Sequence, residues 1–247
     1  MIPAPFDYVR AGSAEEAISL IAQHGEDAKF IAGGHSLLPL MKLRLAQPSV
    51  LVDIGRVTDL SYIRDAGDHV AIGALTRHMD VETSAVLAEH APLLAHAAGH
   101  VGDPQVRHRG TIGGSIAHSD PASEFFHGFL ETALAADEML TEIRVPKMGG
   151  AGWNFQKFNR RAQDWAIVGV AAWRRNGDSG VALVNMGSTP VLATSVSTAL
   201  AQGASPAEAA EVAAAEADPQ NDTNASAEYR VHLAKVLVRR ALEQASA

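Results

Sequence analysis

The sequence predicts an α+β protein, with helices and strands alternating through the first half and a small antiparallel sheet covered by helices in the second half. Three patterns lead to this prediction. Apolar residues recur at helical spacing over 14–24, and several short apolar runs follow this segment. Asn176-Gly177 separates two strand-like runs, which is a strong hairpin signal. Apolar positions over 227–244 again recur at helical intervals. A chain with both helix and strand signals is expected to be neither a helical bundle nor a β-sandwich.

The first half begins with a short extended segment at 6–10. Ser13 is a good N-cap for a helix over 14–24, and Gly25 would stop that helix. The Ala- and Leu-rich segment 85–99 is expected to form one further helix. The expected strands of this half are 29–32, 50–54, 70–73 and 140–145.

The second half follows a linker at 146–152 that is rich in glycine. Strong alternation predicts a strand at 153–158, and the hairpin supplies two more strands at 166–174 and 180–186. The Ala- and Glu-rich segment 206–217 is expected to be helical, and Asp218-Pro219 would end it.

Two similar glycine motifs form the centre of the functional prediction: residues 30–38 (FIAGGHSLL) and residues 111–115 (TIGGS). Paired glycines allow consecutive backbone N–H groups to point into one concavity, which suits an anion. The hydroxyls of Ser36, Thr111 and Ser115 would add donors. A single Gly-Gly pair is also typical of an ordinary turn, but two such pairs could bind the two halves of a pyrophosphate. Neither a Rossmann fingerprint nor a P-loop is present, so the nucleotide site would belong to another architecture.

Composition excludes several other classes of protein. The net charge of −8 argues against nucleic-acid binding, which needs clustered Lys and Arg. No apolar run is long enough to cross a bilayer and the N-terminus does not resemble a signal peptide, so we expect a cytoplasmic protein. The sequence contains no cysteine and therefore predicts no disulfide, thiolate nucleophile or iron–sulfur ligand.

Reactive side chains give weaker signals. His96 and His100 have the spacing of a two-histidine metal site, but ordinary surface or capping roles are the better interpretation because no third ligand follows. His118-Ser119-Asp120 contains the residue types of a hydrolytic triad, yet neighbours in one loop cannot easily converge on a common point. With neither a catalytic residue nor a metal ligand predicted, a cofactor would carry the chemistry.

The motifs also carry a resemblance to a known family. Residues 32–46 resemble the first FAD-binding segment of the medium, flavoprotein subunits of molybdenum hydroxylases, the family that includes aerobic carbon monoxide dehydrogenase. Residues 103–107 and 110–115, continuing to Asp120-Pro121, are similar to the second FAD-binding segment of that family. A third match lies at 226–230 and 233–242. The resemblance thus extends over nearly the whole chain.

This resemblance implies a two-part FAD-binding domain of the PCMH/vanillyl-alcohol-oxidase type, followed by a small α+β C-terminal domain. The FAD-binding domain would span 1–146, with subdomains at about 1–55 and 56–146, and the C-terminal domain would span 151–247. Asp120 resembles the carboxylate that accepts hydrogen bonds from FAD hydroxyls, and Lys157 resembles a lysine near the flavin, although a solvent-facing lysine is an equal alternative. The predicted FAD-binding residues are Ala32, Gly33, Gly34, His35, Ser36, Leu37, Leu38, Val101, Gly102, Thr111, Gly113, Gly114, Ser115, Asp120 and Lys157.

The resemblance further implies an electron-transfer subunit that works with an iron–sulfur subunit and a molybdopterin-containing large subunit. A free-standing flavin oxidoreductase, with flavin linked to His35, is the alternative; a polar contact at His35 agrees better with the family. A regulatory nucleotide-binding module is a third interpretation. The sequence departs from the family after Glu124, where Phe125 follows without the helix and strand pair that relatives have there. Either the second FAD subdomain is shortened, or the sequence given lacks residues at this point.

Overall fold

A computed structural model describes residues 2–118, 126–128 and 131–245. The chain forms two compact units, which are treated separately below. The first contains 1–118 and 133–147, and the second contains 119–132 and 148–247. In the described part of the chain, no helix is both long and apolar enough to cross a membrane. The domain limits expected from the sequence stay a prediction.

The described residues form short strands and helices, with 3-10 turns at Gly25–Asp27 and Thr58–Leu60. The strands are β1 (Asp7–Arg10), β2 (Ala28–Ile31), β3 (Val50–Asp53), β4 (Ile63–Asp65), β5 (His69–Gly73), β6 (Phe126–Gly128), β7 (Glu131–Thr132), β8 (Glu142–Pro146), β9 (Gly152–Phe158), β10 (Val168–Arg175), β11 (Asp178–Val184) and β12 (Val191–Leu192). The helices are α1 (Ala14–His24), α2 (Leu37–Lys42), α3 (His78–Thr83), α4 (Ala85–His90), α5 (Pro92–Ala98), α6 (Pro104–Arg107), α7 (Ile112–Ala117), α8 (Thr194–Ala201), α9 (Pro206–Ala210) and α10 (Ala227–Gln244).

The first unit contains a parallel sheet in the order β1-β3-β2. Helix α1 connects β1 to β2, and its expected caps are present: the Ser13 side chain accepts from the Glu16 N–H, and Gly25 ends the helix with φ +66°. Ala17 and Ile21 of α1 pack on Val52 of β3, and all three are buried. Removal of these side chains from water stabilises the sheet by roughly 1 to 3 kcal/mol for each large aliphatic residue.

A second sheet of this unit is antiparallel, in the order β4-β5-β8. Strand β4 has no counterpart among the sequence-based predictions. Buried residues of β5, Val70 and Ile72, form a core with Val81 of α3, Leu87 of α4 and Ala95 of α5.

The single helix expected over 85–99 is wrong, because the chain forms α4 and α5 instead. Pro92 lies at the first position of α5, and Ala91 before it has φ −144° and ψ 57°, outside the helical region. Proline disfavours helical geometry at the preceding residue and lacks an N–H for the helical ladder. The apolar pattern continues through the break because α4 and α5 both contribute to the same core.

The second unit is built on an antiparallel sheet in the order β12-β11-β10-β9. The predicted hairpin joins β10 to β11, with positive φ at both Asn176 and Gly177. Helix α10 has the predicted bounds, and the Ser226 side chain caps it by accepting from the Tyr229 N–H. Buried residues from this sheet and from α8, α9 and α10 form one core.

The helix expected over 206–217 is shorter than predicted. Helix α9 ends at Ala210, and the chain continues through turns with bonds between residues three apart, such as Ala213 N–H to the Ala210 carbonyl and Ala217 N–H to the Ala214 carbonyl. These turns lead into the bond from the Asp218 N–H to the Met186 carbonyl, so tertiary packing overrides the helical preference of the Ala-rich segment.

Candidate FAD-binding site

The first glycine motif leaves the parallel sheet at the carboxyl end of β2. Arg10 of β1 and Ile31 of β2 are both paired with Asp53 of β3, so the three strands end level with one another. Residues 32–36 form the connection from β2 to α2. The carboxyl edge of a parallel sheet is a common place for ligand binding, because the loops leaving the strands converge there.

The backbone N–H groups of residues 33–37 are the distinctive feature of this connection. Within the described residues, none of them has a hydrogen-bond acceptor; the next donor, the Leu38 N–H, bonds to the Gly34 carbonyl at 3.1 Å. Gly34 has φ +73°, which an L-residue adopts only with strain. N–H groups that have no acceptor in the protein can donate to a ligand, so this run of donors suits an anionic ligand with several oxygen acceptors.

The second glycine motif lies directly against the first. A Cβ on Gly33 would be 2.2 Å from the Arg109 carbonyl oxygen and 2.9 Å from the Gly110 Cα. Only glycine allows the two backbones to approach this closely. Segments 32–36 and 109–115, some eighty residues apart in sequence, therefore form one site in the first unit.

The structure corrects the expectation that both glycine pairs present unbonded N–H groups. Gly113 and Gly114 lie inside α7, where their N–H groups bond to the Ala74 carbonyl at 2.9 Å and to the Thr111 Oγ1 at 3.1 Å. A Cβ on Gly113 would be 2.5 Å from the Ala74 oxygen, so this glycine serves close packing. Thr111 is buried and caps α7, which leaves Ser115 as the partly exposed hydroxyl of this segment.

Ser115 is held by a buried histidine. The Nε2 atom of His78 lies 2.9 Å from the Ser115 Oγ, and the His78 side chain is almost entirely buried. Burial, and to a smaller extent the nearby positive charge of Arg107, together lower the pKa of His78 from 6.5 to about 4. The imidazole is therefore neutral at neutral pH.

Arg107 also fixes the chain around Val101 and Gly102. Its Nη1 donates to the Val101 carbonyl at 3.1 Å, and its Nε donates to the Glu82 Oε2 at 2.7 Å. Gly102 follows with φ +50°. Val101 and Gly102 thus have a defined backbone, and their contact with FAD stays a prediction.

Comparisons with known proteins agree with this geometry. Residues 4–126 match the family described as the FAD binding domain in molybdopterin dehydrogenase, and residues 153–245 match the CO dehydrogenase flavoprotein C-terminal domain. The carbon monoxide dehydrogenase medium chain of Hydrogenophaga pseudoflava is 39% identical over 99% of this chain and 98% of the relative. The chain belongs to this flavoprotein subunit family. Its cofactor is FAD.

Two further similarities support membership of the flavoprotein subunit family. The 6-hydroxypseudooxynicotine dehydrogenase complex subunit alpha of Paenarthrobacter nicotinovorans is 35% identical over 99% of this chain and 96% of that subunit. The solved structure of carbon monoxide dehydrogenase from Hydrogenophaga pseudoflava, in a form lacking the Mo-pyranopterin moiety, matches with a TM-score of 0.93, covering 99% of this chain and 98% of that chain. These matches confirm the α+β fold predicted from the sequence.

The length of one alignment bears on the departure from the family that the sequence predicts after Glu124. The alignment with the Hydrogenophaga pseudoflava medium chain runs over 282 positions, whereas the present sequence has 247 residues. The relative therefore contains residues without a counterpart here. The position of the gap after Glu124 stays a prediction, because residues 119–125 lie outside the described residues.

The remaining predicted FAD residues are distributed over both units. Ala32, His35, Ser36, Leu37 and Leu38 belong to the first glycine segment, where the His35 and Ser36 side chains are exposed. Asp120 lies outside the described residues. Lys157 belongs to β9 of the second unit, where burial lowers the pKa of its amine and the Asp164 charge opposes that effect.

The histidine pair considered as a metal site is close in space. The Nε2 atoms of His96 and His100 lie 3.2 Å apart. Across residues 2–118, 126–128 and 131–245, no group of three or more His, Asp or Glu side chains could hold a metal ion.

Sequence reasoning missed three residues that support the site: His78, Glu82 and Arg107. His78 and Glu82 are four apart in α3 and so lie on one helix face. The available signal was the four-residue spacing of His78 and Glu82, together with the position of Arg107 inside the second FAD-binding segment, 103–107. Their partners are 25 to 37 residues away in sequence, however, and no local pattern identifies such pairs.

Proposed function

We propose that this chain holds FAD without a covalent bond and acts as the electron-transfer subunit of a multi-subunit molybdenum hydroxylase. In this role it takes electrons from iron–sulfur clusters of a partner and passes them to an external acceptor. The observation that carries the proposal is the run of backbone N–H groups from Gly33 to Leu37 with no acceptor in the described part of the chain.

These N–H groups would bind the FAD pyrophosphate, because its oxygens are anionic acceptors and the groups have no acceptor among the described residues. The Ser36 hydroxyl is exposed beside the N–H groups and would add a donor, and Ser115 would add one from the second segment. Thr111, Gly113 and Gly114 would shape that second wall. Bound FAD supplies the one- and two-electron redox chemistry that the chain's own side chains lack.

Asp120 and Lys157 complete the proposed set. A carboxylate at Asp120 would accept hydrogen bonds from FAD hydroxyls. The amine of Lys157, partly removed from water, would supply a positive charge toward the flavin. Val101, Gly102 and the first-segment residues Ala32, His35, Leu37 and Leu38 would contact FAD through backbone and apolar surfaces.

The proposed partners are an iron–sulfur subunit and a molybdopterin-containing large subunit. The sequence contains no cysteine, so the thiolates that normally hold such clusters must come from another chain. The names of the relatives support a complex, since one is a medium chain and another is a subunit of a dehydrogenase complex. We place the complex in the cytoplasm. The substrate class stays open, because oxidation would occur on the large subunit.

The experiment is a visible absorption spectrum of the purified full chain supplied with FAD, before and after acid precipitation. We expect a bound-flavin spectrum, and we expect flavin to be released into the supernatant. Flavin in the pellet would instead indicate a bond to His35 and contradict the non-covalent proposal.

A second measurement tests electron transfer. The FAD-loaded chain alone should stay oxidised when organic substrates of relatives are added, and it should be reduced once the iron–sulfur and molybdopterin subunits of its own complex are also present. Reduction of the isolated chain by a small organic substrate would overturn the subunit assignment in favour of a self-sufficient oxidoreductase.

A further inference from the structure

We propose that His78 is a positioning residue whose Nε2–H donates to the Ser115 Oγ, so that the Ser115 hydroxyl proton is presented to a phosphate oxygen of FAD. This inference rests on the proposed function, because it requires an anion beside Ser115. It adds a residue to the site that lies outside both glycine motifs, and it assigns the proton to a particular ring nitrogen.

The position of the His78 ring is fixed by the backbone. His78 is the first residue of α3, and its N–H donates to the Gly110 carbonyl at 3.1 Å. A Cβ on Gly110 would lie only 3.2 Å from the His78 Cδ2, so the ring packs directly against the second segment. The side chain is 5% exposed, which leaves the imidazole few alternative orientations.

Ser115 is fixed from the other side. It lies in α7, where its N–H bonds to the Thr111 carbonyl at 3.0 Å, and Thr111 caps the helix. The His78 Nε2 to Ser115 Oγ distance of 2.9 Å is that of a good hydrogen bond. Unlike the buried Thr111, Ser115 is partly exposed, so its hydroxyl can contact His78 and a ligand together.

The direction of this hydrogen bond determines what Ser115 offers to a ligand. A serine hydroxyl has one proton and two lone pairs. If His78 Nε2 were unprotonated, the serine proton would be used on the imidazole, and only lone pairs would face the ligand; an anion would be repelled by them. If Nε2 carries the proton, it uses a lone pair of Ser115 and leaves the serine proton for the anion.

An anion next to Ser115 selects the second arrangement. The chain from Nε2–H to Oγ–H to a phosphate oxygen aligns both bond dipoles with the negative charge, and each hydrogen bond strengthens the next. Burial, together with the nearby Arg107 guanidinium, disfavours protonation of both ring nitrogens, so the ring supplies this donor while neutral.

The test is a double-mutant cycle measured as FAD affinity of the full chain. His78→Leu removes the donor at similar size, and Ser115→Ala removes the hydroxyl. We expect each single variant to weaken FAD binding about tenfold. In the Ser115→Ala background, His78→Leu should then have little further effect, because the contact it supports is already gone. His78→Gln should restore most of the affinity, since its side-chain amide can donate from nearly the same position.

A spectroscopic measurement follows the proton itself. In histidine-labelled chain with bound FAD, nitrogen NMR should show His78 neutral and protonated on Nε2 at neutral pH. Exposed His232 in α10 provides the matched control, because His232→Gln should leave FAD affinity unchanged. The inference would be overturned if His78→Leu weakened FAD binding equally in the wild-type chain and in the Ser115→Ala chain. A proton on the His78 Nδ1 instead of Nε2 would overturn it as well. Wild-type chain that binds no FAD would instead overturn the proposed function itself, and this inference with it.

Discussion

The burial of His78 makes the stability of the folded chain depend on pH. Its pKa in the folded chain is about 4, against 6.5 ordinarily, because burial disfavours the charged imidazolium. Between these values the unfolded chain binds more protons than the folded chain, so folding becomes less favourable as pH falls. The neutral His78 ring makes its full contribution to the free energy of unfolding above about pH 6.5. That contribution is lost as the pH falls toward 4.

A stability measurement at two pH values checks this effect. Wild type should lose about 2 kcal/mol more than His78→Gln in free energy of unfolding between roughly pH 7.5 and pH 5, because glutamine does not titrate. Urea denaturation of both chains without FAD gives the comparison and removes ligand linkage. A pH dependence that is the same in both chains would contradict a neutral, buried His78.

At the scale of elements, α10 is anchored by a buried arginine. Arg230 is 2% exposed, donates through Nη1 to the Ile167 carbonyl and pairs through Nη2 with the Asp222 Oδ2 at 2.6 Å. Its guanidinium thus connects the last helix to the start of β10 and to the loop before the helix. These two separate Nη contacts favour a planar group with several donors over a single ammonium, although the Arg230 Nε is buried and has no partner among the described residues.

Arg230→Met should lower the free energy of unfolding by about 2 kcal/mol, because the Ile167 carbonyl loses its donor and Asp222 loses its pair. Arg239→Met in the same helix is the matched control. Arg239 is half-exposed and its contact with Glu243 is 3.8 Å long, so its removal should cost less than about 0.5 kcal/mol. Thermal or urea unfolding of the two variants measures the difference, and equal costs would show that Arg230 is not a structural anchor.

At the scale of the whole molecule, local signals account for most of the fold. Ser13 and Gly25 bound α1, Asn176-Gly177 forms the hairpin turn, and α10 has the predicted ends because capping and apolar spacing act within a few residues. The misassigned elements are those in which tertiary packing decides. Segment 85–99 keeps a continuous apolar pattern across Pro92, and 206–217 leaves the helix to reach Met186.

In the candidate site, too, local sequence signals predict some features, and tertiary contacts decide the others. The first glycine segment was predicted as a donor-rich loop and has that character. The second was predicted as another such loop, but it is a short helix whose glycine packs on Ala74. That difference depends on a contact between residues nearly forty positions apart, as does the link from His78 to Ser115. A motif indicates which residues are needed, whereas their partners follow only from the fold.

The central claim is that the N–H groups of residues 33–37 hold the FAD pyrophosphate, and a pair of glycine variants tests it most directly. Gly34 and Gly67 both have positive φ. A Cβ on Gly67 would have open space around it, whereas a Cβ on Gly34 would lie 3.0 Å from the Leu38 Cδ1, at the end of a flexible side chain. Alanine at either position should cost about 1 to 2 kcal/mol in backbone strain. Only Gly34→Ala would displace the donor groups.

The measurement is FAD affinity of wild-type chain, Gly34→Ala and Gly67→Ala, by titration of flavin fluorescence. We expect Gly34→Ala to weaken binding at least tenfold and Gly67→Ala to bind as wild type does. The contrary result is a Gly34→Ala chain that loses as much stability as Gly67→Ala but binds FAD as tightly as wild type. It would contradict the assignment of the pyrophosphate to the first glycine segment.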